Sequence, residues 1–204
     1  MEQLLLSKAL LKSHVCSGEY QRYGKEIHLQ AGDFVYLPTD RLDTLFILNK
    51  GVVKLGSYSP KGAEVVYDIV CPGEFFGNLQ YLQNNTFSEF AKALTPLEIY
   101  AYPMLLFKEI IRQDVDIAER FYRVMVRRWC RAETKLFANA SLRPKERVQR
   151  LLQQYDRKVT TKHGDFVPIN ELLTQKDIAD LTGLTRQTVA QIMKNATDRN
   201  VKAA

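Results

Sequence analysis

The apolar positions change period once along the chain. Between residues 26 and 102 they fall in short runs rich in β-branched and aromatic side chains: Glu26–Gln30, Phe34–Leu37, Thr44–Leu48, Gly51–Tyr58, Ala63–Val70, Phe90–Leu94 and Leu97–Tyr102. Turn signals separate them, among them Ala31-Gly32-Asp33, Asn49-Lys50-Gly51, Pro60-Lys61-Gly62 and Pro72-Gly73. Seven or eight strands at roughly ten-residue spacing predict an antiparallel sandwich or jelly roll. A helical segment, Glu2–Lys12, is expected ahead of them. From about Pro103 the period becomes helical. Ala118, Tyr122, Met125, Trp129, Ala132 and Leu136 step by three and four, which is a heptad seam. Ile117, Phe121 and Val124 form a second apolar stripe beside it. A helix over Asp114–Ala140, about 40 Å long at 1.5 Å per residue, has one stripe for its own sheet and one for a partner helix. The alternative is a single broad stripe packed within one chain.

Pro144 then suits the first turn of a new helix whose apolar face is Val148, Leu151, Leu152 and Tyr155. A small hairpin is expected around His163-Gly164-Asp165. Residues 174–195 read as two short helices bent around Gly183. Thr174 caps the first, with Asp177 as its capping-box partner, and Thr185 caps the second. Val189, Ile192 and Met193 recur at helical spacing and bury together. Arg186, Gln187, Ala190, Gln191 and Lys194 stay outside. A helix-turn-helix places the first residues of its second helix against base edges in the major groove.

Charge sharpens this division. Residues 1–113 carry 11 Lys and Arg against 12 Asp and Glu, whereas residues 114–204 carry 18 against 11. A near-neutral first half and a basic second half suit a sensing module joined to one that binds a polyanion. The expected organisation is an effector-sensing roll over 1–113, a dimerisation helix over 114–140 and a DNA-binding unit over 141–204. No apolar run has the length of a membrane span, and Met1–Leu11 lacks the basic start and cleavage site of a secretion signal. Cys16, Cys71 and Cys130 are odd in number and far apart, which suits free thiols in a reducing cytoplasm. His14, His28 and His163 are too scattered for the His/His/Glu set of a jelly-roll metalloenzyme, and no Ser-His-Asp or Cys-His grouping is present, so an enzyme is not expected.

The order roll, long helix, helix-turn-helix resembles the Crp–Fnr family of bacterial transcription regulators. The likeness rests on Ala31-Gly32-Asp33-Phe34, on Asn49 through Leu55, on Pro72-Gly73-Glu74-Phe75-Phe76-Gly77, and on Leu173 through Val189. It implies an α+β chain: a cyclic-nucleotide-binding-like antiparallel jelly roll, a dimer helix and a C-terminal winged helix-turn-helix. The resemblance further implies double-stranded DNA as partner, a homodimer, and RNA polymerase as a candidate contact. Arg186 matches the family's first base-reading arginine, suited to guanine O6 and N7, while Gln187 and Gln191 replace a Glu and a second Arg and suit adenine. Thr174, Gln175, Thr185, Thr188 and Lys194 are read as caps or phosphate contacts. Members usually continue into a terminal β-hairpin where this sequence reads Asp198 to Ala204, so a shortened wing is expected.

The resemblance also locates an effector pocket at Gly77, Asn78, Leu79, Phe87 and Ser88. Nucleotide-binding members carry a Glu for the ribose where Asn78 stands, and an Arg-Ser pair for the phosphate where Phe87-Ser88 stand. Phe has neither charge nor donor, so tight cAMP binding is not expected. An iron–sulfur cluster usually takes four cysteines and this chain has three. Haem, through Cys71, His28 or His14, and a thiol switch at Cys16, Cys71 or Cys130 are weaker readings still. A member that has lost its effector or DNA and acts through protein contacts is the alternative function.

Overall fold

The computed structural model describes residues 24–38, 40, 43–77, 88–160 and 165–203. The expected leading helix over Glu2–Lys12 lies outside them, as do Asn78, Leu79, Phe87, His14, Cys16 and His163. Eight strands form the first half: β1 (Lys25–Leu29), β2 (Phe34–Tyr36), β3 (Thr44–Lys50), β4 (Val53–Tyr58), β5 (Glu64–Val70), β6 (Phe75–Phe76), β7 (Phe90–Ala93) and β8 (Leu97–Pro103). They pair antiparallel into two four-stranded sheets, ordered β1-β8-β3-β6 and β2-β7-β4-β5. Seven of these strands follow the sequence pattern. The eighth, β6, is two phenylalanines long, too short to produce a periodicity.

Alternation along each strand sends neighbouring side chains to opposite faces, and here both faces of the first sheet are apolar. Phe46, Leu48, Phe76, Ile99 and Ala101 point into the roll, where they meet Val53, Leu55, Val70 and Ala91 of the second sheet. Leu45, Ile47, Phe75, Tyr100 and Tyr102 point the other way and are covered by helices. A strand buried on both faces needs no polar side, which explains the uninterrupted Leu45-Phe46-Ile47-Leu48. Tyr36, Phe46 and Phe76 stack within the roll, with ring centroids 5.3 to 6.1 Å apart.

Helix α1 (Met104–Gln113) and the long α2 (Val115–Ser141) follow. The break between them falls at Asp114, whose extended backbone and side chain, accepting from the Ile117 N–H at 3.0 Å, cap α2. Ile117, Phe121 and Val124 are buried against the first sheet, and Phe121 stacks on Phe75 at 4.7 Å. Next come α3 (Pro144–Gln154), the hairpin β9 (Lys158–Thr160) and β10 (Phe166–Pro168), the short α4 (Ile169–Leu172), α5 (Gln175–Thr182) and α6 (Arg186–Ala203). Pro144 opens α3, and the Glu146 carboxylate accepts from the Arg143 N–H at 2.9 Å. The C-terminal elements sit on the outer face of the second sheet. Val52, Val66, Ile69 and Phe90 of the roll belong to one apolar cluster with Val148, Tyr155, Ile178, Leu181 and Val189.

Candidate nucleic-acid interface and sensing face

The sequence builds the helix-turn-helix by three local devices. The Thr174 hydroxyl accepts from the Asp177 N–H at 3.1 Å while the Asp177 carboxylate accepts from the Thr174 N–H at 3.0 Å, a reciprocal cap at the start of α5. Gly183 then turns the chain in the left-handed region, φ 64°, where a side chain would also press on Asn139 at 3.3 Å. The Thr185 hydroxyl accepts from the Thr188 N–H at 3.1 Å and starts α6. Ile178, Ala179, Leu181 and Val189 fill the elbow.

That packing fixes which face remains outside. Arg186, Gln187, Gln191 and Lys194 are exposed along α6, Thr174 and Gln175 at the start of α5, Thr185 just after the turn, and Thr188 is half-buried. The Thr174, Thr185 and Thr188 side chains are engaged in caps, with Thr185 and Thr188 hydroxyls 2.9 Å apart. The Gln191 amide donates to the Asn195 side chain at 3.1 Å. The eight residues read from the sequence therefore lie at the start of α5, at the exit of the turn and along the first half of α6.

On α2 the two stripes separate as their spacing implies. The heptad seam is left outside: Tyr122, Trp129 and Leu136 are 59%, 65% and 70% exposed, Ala132 is exposed, and Ala118 and Met125 are half-buried. A cleft of about 530 Å³ opens beside it, with Trp129, Ala132 and Leu136 on one side and Leu151 and Leu181 on the other.

Of the expected pocket residues, the described ones are Gly77 and Ser88. Gly77 is buried at φ 77°, and a Cβ there would meet the Thr44 carbonyl at 2.8 Å. Ser88 is exposed, its hydroxyl 3.3 Å from that of Ser57. The next residue matters more. Glu89 is only 7% exposed, and its carboxylate accepts hydrogen bonds from the Tyr36 and Tyr67 hydroxyls. Gly77 in turn contacts Tyr36 through its backbone. Burial pushes the Glu89 carboxyl above its ordinary value, against the Tyr36 bond and Arg128, which favour the charged form. Burial, reinforced by Glu89, likewise raises the Tyr36 phenol. A buried acid at this position is not itself a partner for a phosphate, which calls for cationic donors.

Cations from α2 tie this side of the roll to the helix. The Arg128 guanidinium donates to the Phe75 carbonyl at 2.9 Å and to Asp68 at 3.1 Å. Arg131 pairs with Glu74 at 2.9 Å, and Lys135 donates to the Tyr67 carbonyl at 3.1 Å. Glu89, Arg128 and Arg131 escape a pattern search because their partners are 22 to 60 residues away. A lone Glu ahead of the apolar β7 is the one signal the sequence offers.

Among the described residues no group of three or more His, Cys, Asp and Glu side chains could hold a metal ion. Cys71 is buried and Cys130 is exposed, and His28 is exposed beside Glu26 at 3.3 Å. No described helix is long and apolar enough to cross a membrane.

Residues 26–114 match the family model of the cyclic nucleotide-binding domain. A CRP-like cAMP-activated global transcriptional regulator of Mycobacterium tuberculosis is 27% identical over 82% of this chain and 75% of its own length. The nitrogen fixation regulation protein FixK of Bradyrhizobium diazoefficiens is 25% identical over 90% of this chain and 79% of its own. Among solved structures, FixK2 of Bradyrhizobium japonicum superposes with a TM-score of 0.69 at 16% identity, covering 87% of this chain and 86% of that one. A cyclic nucleotide-binding domain containing protein from Listeria monocytogenes gives 0.72 at 13%, covering 94% and 90%.

Proposed function

This chain belongs to the Crp–Fnr family of transcription regulators, and from that premise we propose that it is a homodimer reading two DNA half-sites under a sensor that does not take cyclic nucleotides. It is a regulator rather than an enzyme. The observation that carries the DNA-binding reading is the face of α6 left outside by its own packing, where Arg186, Gln187, Gln191 and Lys194 are exposed along the N-terminal half of the helix, the part that meets base edges in a helix-turn-helix. Arg186 is assigned to a guanine, Gln187 and Gln191 to adenines, and Lys194 and Gln175 to phosphates. The dimer reading is supported by the α2 seam, whose Tyr122, Trp129 and Leu136 are largely uncovered by the described residues. Two copies related by a two-fold axis bury this stripe against itself and set the two α6 helices about one turn of DNA (~34 Å) apart. Work is divided accordingly, with sensing in residues 1–113, dimerisation in 114–140 and DNA contact in 141–204.

Selection of bound duplexes from a random pool tests this function. An enriched inverted repeat is expected, and a pool unchanged after several rounds would refute it. The sensor claim has its own test. Glu89 places a buried carboxyl next to Ser88, and the sequence has Phe87 where nucleotide-binding members carry an arginine. Isothermal titration with cAMP is expected to give no saturable heat at micromolar ligand, and a clear micromolar isotherm would overturn the assignment.

A further inference from the structure

The first helix of the helix-turn-helix is fastened to the roll. Strand β5 is outermost among the described strands of its sheet, so alternate backbone groups along that edge have no partner among those strands. Helix α5 supplies them. The Glu64 carbonyl accepts from the Lys176 ammonium at 2.5 Å, and two residues on, the Val66 N–H donates to the Asp180 carboxylate at 3.0 Å. Lys176 and Asp180 lie one helical turn apart and also pair at 2.7 Å. On the neighbouring strand β4, the Lys54 ammonium meets the Asp177 carboxylate at 3.1 Å, with side chains only 14% and 3% exposed. Burial opposes the charged form of Asp177, but the bonds from Thr174 and Lys54 outweigh it and hold the acid below its ordinary value.

We propose that Lys54 and the outer edge of β5 form a latch on α5, and that duplex DNA competes with the roll for that helix. This rests on the DNA-binding reading above. The first turn of α5 carries Thr174 and Gln175, placed there against the DNA backbone, and Lys176 is the next residue. An ammonium at a helix start is suited to a phosphate, yet here it is held by a carbonyl of the roll. In the latched form that cation, and the orientation of the whole helix pair, belong to the sensor. Binding to DNA exchanges the Glu64 carbonyl for a phosphate oxygen and uncovers the β5 edge. A signal that moves β4 or β5 is thereby transmitted to the DNA-binding unit without passing along α2.

The latch predicts that Lys54→Met binds DNA more tightly. If freeing α5 raises the competent fraction from about 5% to about 50%, apparent affinity rises ~10-fold. The sign is diagnostic, because removing a lysine weakens DNA binding on electrostatic grounds alone. Lys54→Arg keeps the pair and is expected to stay near the wild type. The probe is a duplex recovered from the random pool, with circular dichroism as the check on folding. A second measurement needs no variant: hydrogen exchange at the Val66 amide of the wild-type chain is expected to speed up when DNA is added. Unchanged or weaker binding by a folded Lys54→Met chain, or Val66 exchange indifferent to DNA, overturns the latch while leaving the DNA-binding reading standing. Failure of every protein to bind any duplex overturns that reading, and the latch with it.

Discussion

Replacing Arg186 with alanine is expected to reduce sequence-specific binding steeply while leaving general affinity for DNA nearly intact. The side chain stands exposed at the first position of α6, where a guanidinium can fork onto guanine O6 and N7. One such pair contributes on the order of 1–3 kcal/mol, and a two-fold symmetric protein makes it twice, so specific binding falls by roughly 30-fold to 10⁴-fold. Binding to unrelated sequence depends on phosphate neutralisation, for which residues 141–204 carry 12 Lys and Arg. Its loss is expected to stay within a few-fold. Competition titrations against the selected operator and a scrambled duplex measure both. Equal losses would place Arg186 on the backbone and remove it from base reading.

The second large effect concerns association. Trp129→Glu with Leu136→Glu is expected to convert the dimer to a monomer with the roll still folded. Both residues are largely exposed on α2 and contribute nothing to the buried stripe of Ile117, Phe121 and Val124. Fully burying a leucine side chain yields about 1.5–3 kcal/mol, and each residue counts twice across a two-fold axis. Leu136 is 70% exposed in the chain, so losing it alone weakens the dimer by at least ~30-fold, before the cost of desolvating the new carboxylates. Sedimentation velocity separates the two states, and the melting transition of the roll is expected to be little changed. A variant that stays dimeric would move the interface elsewhere; one that unfolds would show the seam to be part of the monomer's core.

Legibility in the sequence followed the range of the interactions. The α2 stripes and the helix-turn-helix were readable because their logic is local: spacings of three and four, a cap at Thr174, a left-handed turn at Gly183. The strands of the roll were readable because turns punctuate them. What stayed hidden depends on distant partners. Asp177 is identified from sequence as a capping residue, and it is one, but its second bond goes to Lys54, 123 residues earlier. Glu89 is a single acidic letter until the roll brings Tyr36 and Tyr67 to it. The pocket positions that the resemblance implies end at Ser88, one residue short of the buried carboxyl. Sequence also divides the chain into sensor and output without indicating contact between them, whereas Val66 and Ile69 share an apolar cluster with Ile178 and Leu181.

Recovering bound duplexes from the same random pool with the wild-type chain and with the Trp129→Glu, Leu136→Glu chain tests the central claim most directly, because it joins the α2 seam to the α6 face in one readout. The wild type is expected to return two inverted half-sites about one helical turn apart, and the variant a single weak half-site or none. The same inverted repeat recovered by both would contradict a dimer built on α2.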